Sequence, residues 1–98
     1  MDAHVLYAGQ RFQWDLDKAH SNIAKHGVRF EQAAEVFFDP FVHLVDATPE
    51  DESREAAIGL TEDLTLLFVV HAVRENEIIR IISARRATRA ERKLYEDK

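Results

Sequence analysis

The chain has 98 residues, 46% of them apolar and 32% charged, which bounds it to one domain with a hydrophobic core of its own. It has no cysteine, which excludes disulfides and Cys-based metal sites and leaves a reducing cytosol as a compatible setting. A net charge of −5 argues against non-specific nucleic-acid binding, and no apolar run approaches the length of a membrane span.

The charge is unevenly distributed. Asp46, Glu50, Asp51, Glu52, Glu55, Glu62 and Asp63 against Arg54 give −6 over residues 46–63. Arg80, Arg85, Arg86, Arg89, Arg92 and Lys93 against Glu91 give +5 over residues 80–93. Two opposite poles on a small domain predict one surface that takes an anion and another that does not.

Residues 1–10 read either as an early strand through Val5, Leu6 and Tyr7 or as a loose arm, and they lack the basic start and long apolar core of a signal peptide. Phe12–Asp15 predicts a short strand with Phe12 and Trp14 on one face. Asp15 caps a helix over residues 16–26, where Leu16, Ala19, Ile23 and His26 recur at helical spacing and Gly27 provides the stop. A second helix is expected over residues 30–38, with Phe30, Ala33, Ala34 and Phe37 as its apolar stripe and Asp39-Pro40 as its end.

Four strands follow. Phe41–Val45 is β-rich, Asp46–Ser53 reads as an acidic loop, and Arg54–Leu60 is a strand in which Gly59 marks a bulge or irregular end. Thr61–Asp63 is a turn, Leu64–Val73 a strand apolar on both faces, and Arg74–Glu77 a hairpin turn. Ile78, Ile79, Ile81 and Ile82 then predict a central strand covered on both sides. Thr88 and Glu91 form a capping box for a closing helix over residues 87–95. The expected class is α+β: strand, helix, helix, four strands and helix around a mostly antiparallel sheet.

Arg80 interrupts the isoleucine run, where an unpaired guanidinium is costly, so it requires either a carboxylate partner or an anion. Arg85 and Arg86 follow at the strand's end, a rigid place to hold an anion; the structural alternative is a solvated basic face. In a regular strand Arg80 and Arg85 point to opposite faces, so they share a site only if a bulge or the strand's end re-aims one. Lys25 and His26 lie at a helix C-terminus, where they cap carbonyls or, alternatively, serve a phosphate or a proton transfer. His71 is a core or rim histidine, or a general acid–base if it faces Arg80 or Lys25. Trp14 is core unless exposed for base stacking. The five histidines show no metal-ligand spacing, and no phosphate loop or nucleophile elbow is present, so no metal or cofactor is expected.

These residues carry a family resemblance. Phe12-x-Trp-Asp15, Lys18-Ala19, Asn22, Lys25-His-Gly-Val28, Phe30-Glu31, Ala33-Ala34, Val36-Phe37 and Asp39-Pro40 resemble the front half of the BrnT toxins. Arg54, Ile58-Gly-Leu60, Val69-Val-His71, Arg74, Arg80–Ala87, Glu91-Arg92 and Tyr95 resemble the back half, in the same order. The resemblance covers residues 12–96. It implies a RelE-like fold and the toxin of a type II toxin–antitoxin system, a ribonuclease that blocks translation in the cytoplasm. It further implies a BrnA-type ribbon–helix–helix antitoxin, a heterotetramer with it, and operator DNA contacted only through the antitoxin. On these positions the expected chemistry is metal-independent cleavage of RNA. Arg80 and Arg85 stabilise the phosphate charge, Lys25, His26 or His71 move protons, and Trp14, Arg54 and Arg86 contact RNA. The rival expectation is a catalytically silent co-repressor, favoured if the basic pole is consumed by salt bridges with Glu75, Glu77 and Glu91. Residues 1–11 extend beyond the family's usual start, and Arg29 stands where the second helix often has a Ser or Thr cap.

Overall fold

The Ala8-Gly9 pair folds the first ten residues back on the strand that follows. Both residues have positive φ (51° and 84°), the twist that a tight two-residue hairpin needs and that glycine adopts without steric cost. The arm is therefore a strand, β1 (Asp2–Tyr7), antiparallel to β2 (Gln10–Asp15). A computed structural model of the chain describes residues 1–47 and 54–97. Most of the predicted acidic loop at 46–53 lies outside the described residues.

α1 (Leu16–His26) begins at Asp15, whose carboxylate accepts the Lys18 N–H at 2.9 Å, and ends at Gly27. α2 (Phe30–Glu35) passes into a 3-10 turn over Val36–Phe38, so the predicted second helix has two parts. Arg29 offers no capping oxygen, and instead the Gln32 side chain accepts the Arg29 N–H at 3.0 Å. β3 (His43–Asp46), β4 (Glu55–Leu60), β5 (Leu66–Val73) and β6 (Ile79–Arg86) follow, and α3 (Arg89–Glu96) closes the chain. The Thr88–Glu91 capping box is formed as expected.

Among the described residues the strands make one six-stranded sheet in the order β1-β2-β6-β5-β4-β3. Only β2–β6 is parallel. This is the α+β, mostly antiparallel arrangement expected, with β1 as an added edge strand. α1 and α2 pack on one face, over Phe12, Trp14, Leu67, Val69, Ile81 and Ala84, which with Phe30, Ala33, Ala34 and Val36 form the core. Asn22 ties that layer to the sheet. Its buried amide donates to the Val28 and Ala84 carbonyls at 2.9 and 2.8 Å and accepts the Ala84 N–H at 3.1 Å.

α3 contacts β4, and its Glu91 pairs with Arg85, so it lies on the opposite face. Tyr95 donates to Asp39 at 2.6 Å, and burial together with that bond pushes its phenol up to about 12. α3 covers only part of this face. β6 is central but not enclosed on both sides as expected, because Arg80, Ser83 and Arg85 on its second face are only half-buried.

Gly59 is not a bulge. It sits in regular register opposite Leu67, and a Cβ there would lie 3.0 Å from the Val36 carbonyl oxygen and 3.1 Å from Val36 Cβ. The missing Cβ leaves room for this close approach of the 3-10 turn. No helix among the described residues is long and apolar enough to cross a membrane.

Candidate functional site

The bulge that the arginines needed is in β6. Val70 pairs with Ser83 and His71 with Ile81, so Ile82 is an extra residue without a partner on β5. Arg80 then falls opposite Ala72 and Arg85 opposite Phe68, two positions of equal parity on β5. Both arginines thus project from the face opposite α1 and α2. Arg54, one residue before β4, alternates with Glu55 and so belongs to the same face.

Each guanidinium is held by neighbours. Arg80 donates from Nη1 and Nη2 to the two Asp2 carboxylate oxygens at 3.0 and 3.2 Å, and from Nη1 to Gln13 Oε1 at 2.7 Å. Gln13 is its register partner on β2, and the hairpin register carries Asp2 to the end of β1 beside Asp15. The Arg80 side chain keeps 20% of its exposure, and the hydrogen bond to Arg80 holds the Asp2 carboxyl below the usual carboxylate range. Arg85 donates from Nη1 and Nη2 to the two Glu91 oxygens, both at 2.8 Å, and its Cζ lies 4.4 Å from the Phe68 ring centroid. This is a fork-to-fork pair stacked on an aromatic face. It lowers the Glu91 carboxyl and raises the Arg85 guanidinium, the hydrogen bond being the first cause of each shift. Beside Gln13 a cleft of about 560 Å³ opens toward Val73, Arg74 and Ile78.

The proposed proton carriers are elsewhere. His71 pairs with Ile81, which places it on the helix side, 2% exposed and edge-on to Phe37 with centroids 4.8 Å apart. Its Nδ1 is 3.2 Å from the Val69 carbonyl, a partner for an N–H at that nitrogen, and Nε2 is 3.6 Å from Glu55. Burial lowers the His71 pKa below 6.5, against the opposing pull of the Val69 carbonyl and Glu55. Lys25 and His26 are exposed on the last turn of α1, also on the helix side. Lys25, His26 and His71 therefore do not join Arg80 and Arg85 in one site.

Two of the expected RNA contacts are displaced as well. Trp14 is 2% exposed and packs edge-on against Phe30, leaving no ring face for a base. Arg86 pairs with Leu67 across the ladder and so points to the helix side; hydrogen bonds from Thr61 and Thr65 lower the Asp63 carboxyl there, and the charge of Arg86 adds a smaller pull in the same direction.

Several functional neighbours were not anticipated. Gln13 was legible by alternation, since Phe12 and Trp14 face the core. His4 opposite Gln13 and His43 opposite Ile58 put two imidazoles on the arginine face, which became apparent only with the register. Asp2 required recognising the Ala8-Gly9 turn between the alternating pairs Val5/Tyr7 and Phe12/Trp14.

The model of the family described as the ribonuclease toxin BrnT of type II toxin–antitoxin systems matches residues 14–91. No curated protein matches the sequence. Among solved structures, the 1.1 Å crystal structure of the Brucella abortus ribonuclease toxin BrnT is similar, with a TM-score of 0.62 and 27% identity. The similarity covers 78% of this chain and 94% of that one.

Proposed function

This chain belongs to the BrnT family of ribonuclease toxins of type II toxin–antitoxin systems, and from that premise we propose that it is a metal-independent endoribonuclease whose site is the arginine face of the sheet. The observation that carries this reading is the bulge at Ile82, which brings Arg80 and Arg85 to one face. A ribose 2′-hydroxyl attacks the adjacent phosphorus, the bond to the 5′-oxygen breaks, and a 2′,3′-cyclic phosphate and a 5′-hydroxyl result. The 2′-hydroxyl proton passes to solvent water, and water returns a proton to the departing 5′-oxygen. The guanidinium groups of Arg80 and Arg85, with Arg54 at the margin, oppose the negative charge that builds on the phosphate oxygens. Phosphate affinity follows local rather than net charge, so the acidity of the whole chain does not oppose this.

A toxin of this type has an antitoxin partner. Here we assign it to the BrnA type, a ribbon–helix–helix protein that binds operator DNA itself, joins the toxin in a heterotetramer and neutralises its block on translation in the cytoplasm. The arginine face is the surface it covers.

The test is the chemistry of the ends. RNA cut by antitoxin-free protein in EDTA carries 2′,3′-cyclic phosphates. Products with a 3′-hydroxyl and a 5′-phosphate contradict the mechanism.

One observation favours a second reading, a catalytically silent co-repressor: both Arg80 and Arg85 are ion-paired in the free chain. The partner of Arg80 is Asp2 and not Glu75 or Glu77. Absence of cleavage by both the parent and Asp2→Asn proteins, with operator binding by the antitoxin complex retained, selects this reading.

A further inference from the structure

We propose that the first strand carries an intramolecular competitor for the substrate: the Asp2 carboxylate occupies, on the Arg80 guanidinium, the place of an RNA phosphate. The inference rests on the reading of Arg80 as a phosphate-binding residue.

The geometry is that of a filled anion site. A guanidinium offers two parallel N–H donors, and a carboxylate or a phosphate meets them with two oxygens. Asp2 does so at 3.0 and 3.2 Å. The Gln13 amide oxygen holds Nη1 at 2.7 Å and carries no charge, so it orients the fork without neutralising it. Among the described residues the anion on the fork is Asp2. Its side chain is 38% exposed, against 20% for Arg80, so the carboxylate can rotate into solvent while the guanidinium stays in its seat.

Asp2 is also carried on a segment outside the family match, which begins at Trp14. β1 is an edge strand that pairs only with β2. The strand is anchored independently of Asp2, because Ala3, Val5 and Tyr7 pack on the core and Tyr7 meets Phe38 edge-on with centroids 5.2 Å apart. A salt bridge is therefore not needed to hold β1 down. Being tethered, the carboxylate competes at high local concentration, and RNA binds with an affinity reduced by the fraction of time the fork is open.

The experiment uses the full chain, its Asp2→Asn and Arg80→Ala variants, and Glu31→Gln as a control that removes the same charge on the helix side. Inorganic phosphate is titrated while the Arg80 Nε–H resonance is followed by NMR. Removing a competing ion pair of this exposure lowers the half-saturating phosphate concentration about fivefold in Asp2→Asn. Glu31→Gln leaves it unchanged. Equal half-saturation in the parent and Asp2→Asn, or no response of Arg80 in either, overturns the proposal.

Cleavage of a labelled mixed-sequence RNA at subsaturating concentration separates this from the functional reading. A fivefold phosphate shift with full cleavage by Arg80→Ala keeps the competitor and removes Arg80 from catalysis. Loss of cleavage in Arg80→Ala with no phosphate shift keeps the catalytic reading and removes the competitor.

Discussion

Arg80 and Arg85 project from the same face of the sheet although they are five positions apart in one strand, because Ile82 is an unpaired extra residue between them. The same bulge leaves Ile79, Ile81 and Ala84 on the core face. A single irregularity therefore keeps the apolar seal and gathers two cations on the other side.

The Arg85–Glu91 pair links that face to α3. Arg85→Ala leaves Glu91 without its partner and destabilises the fold by about 1 to 2 kcal/mol, a value reduced by the partial exposure of Arg85. Urea unfolding of Arg85→Ala, Glu91→Gln and the double variant measures the coupling. Since the Glu91 carboxyl is lowered from 4.5 in the fold, the unfolded chain binds the proton more tightly. The pair's contribution is complete above about pH 4.5 and is lost as the pH falls through the lower folded value.

His71 sets a second pH dependence in a different window. Its folded pKa is below 6.5 because burial disfavours the imidazolium, so below pH 6.5 the unfolded chain takes up the proton first. Stability is complete above pH 6.5 and falls as the pH drops toward the folded value. Histidine titration by NMR is expected to place His71 below 6.5, and His71→Gln is expected to flatten the stability profile in this range.

Asn22 holds α1 to β6 through two buried hydrogen bonds with Ala84, and a third ties it to the Val28 carbonyl in the loop after α1. Asn22→Ala strands the Val28 and Ala84 groups and costs about 2 to 3 kcal/mol by denaturant unfolding. Asn22→Asp keeps the acceptor but turns a buried carboxylate toward the Val28 and Ala84 carbonyl oxygens, and is expected to cost at least as much as Asn22→Ala.

Gly59→Ala introduces a Cβ 3.0 Å from the Val36 oxygen. The crowding costs about 1 to 3 kcal/mol, read as a lowered Tm. A neutral or stabilising result contradicts the close approach.

Much of this was legible in the chain. The caps at Asp15 and Thr88, the stop at Gly27 and the isoleucine run each act locally, and the predicted order of elements holds among the described residues from 10 to 96. That Arg80 needed an anionic partner was also legible. Which partner was not, because Asp2 is 78 positions away and reaches it only through a hairpin and a parallel pairing. The bulge left no mark, since Ile82 is chemically like its neighbours and no glycine signals it. Gly59 did look like a signal, but a glycine required by a passing backbone reads the same as one required by a bulge. His71 stood beside Arg80 in the ladder by proximity, and only the register shows that it faces the other way.

The proposed place of RNA cleavage is the arginine face. The most direct measurement is cleavage of one labelled RNA in EDTA by antitoxin-free parent, Arg80→Ala and His71→Gln proteins, each verified as folded by circular dichroism. The expected result is cleavage by the parent and by His71→Gln, and its loss in Arg80→Ala. Loss in His71→Gln with retention in Arg80→Ala would place the chemistry on the helix side and contradict it.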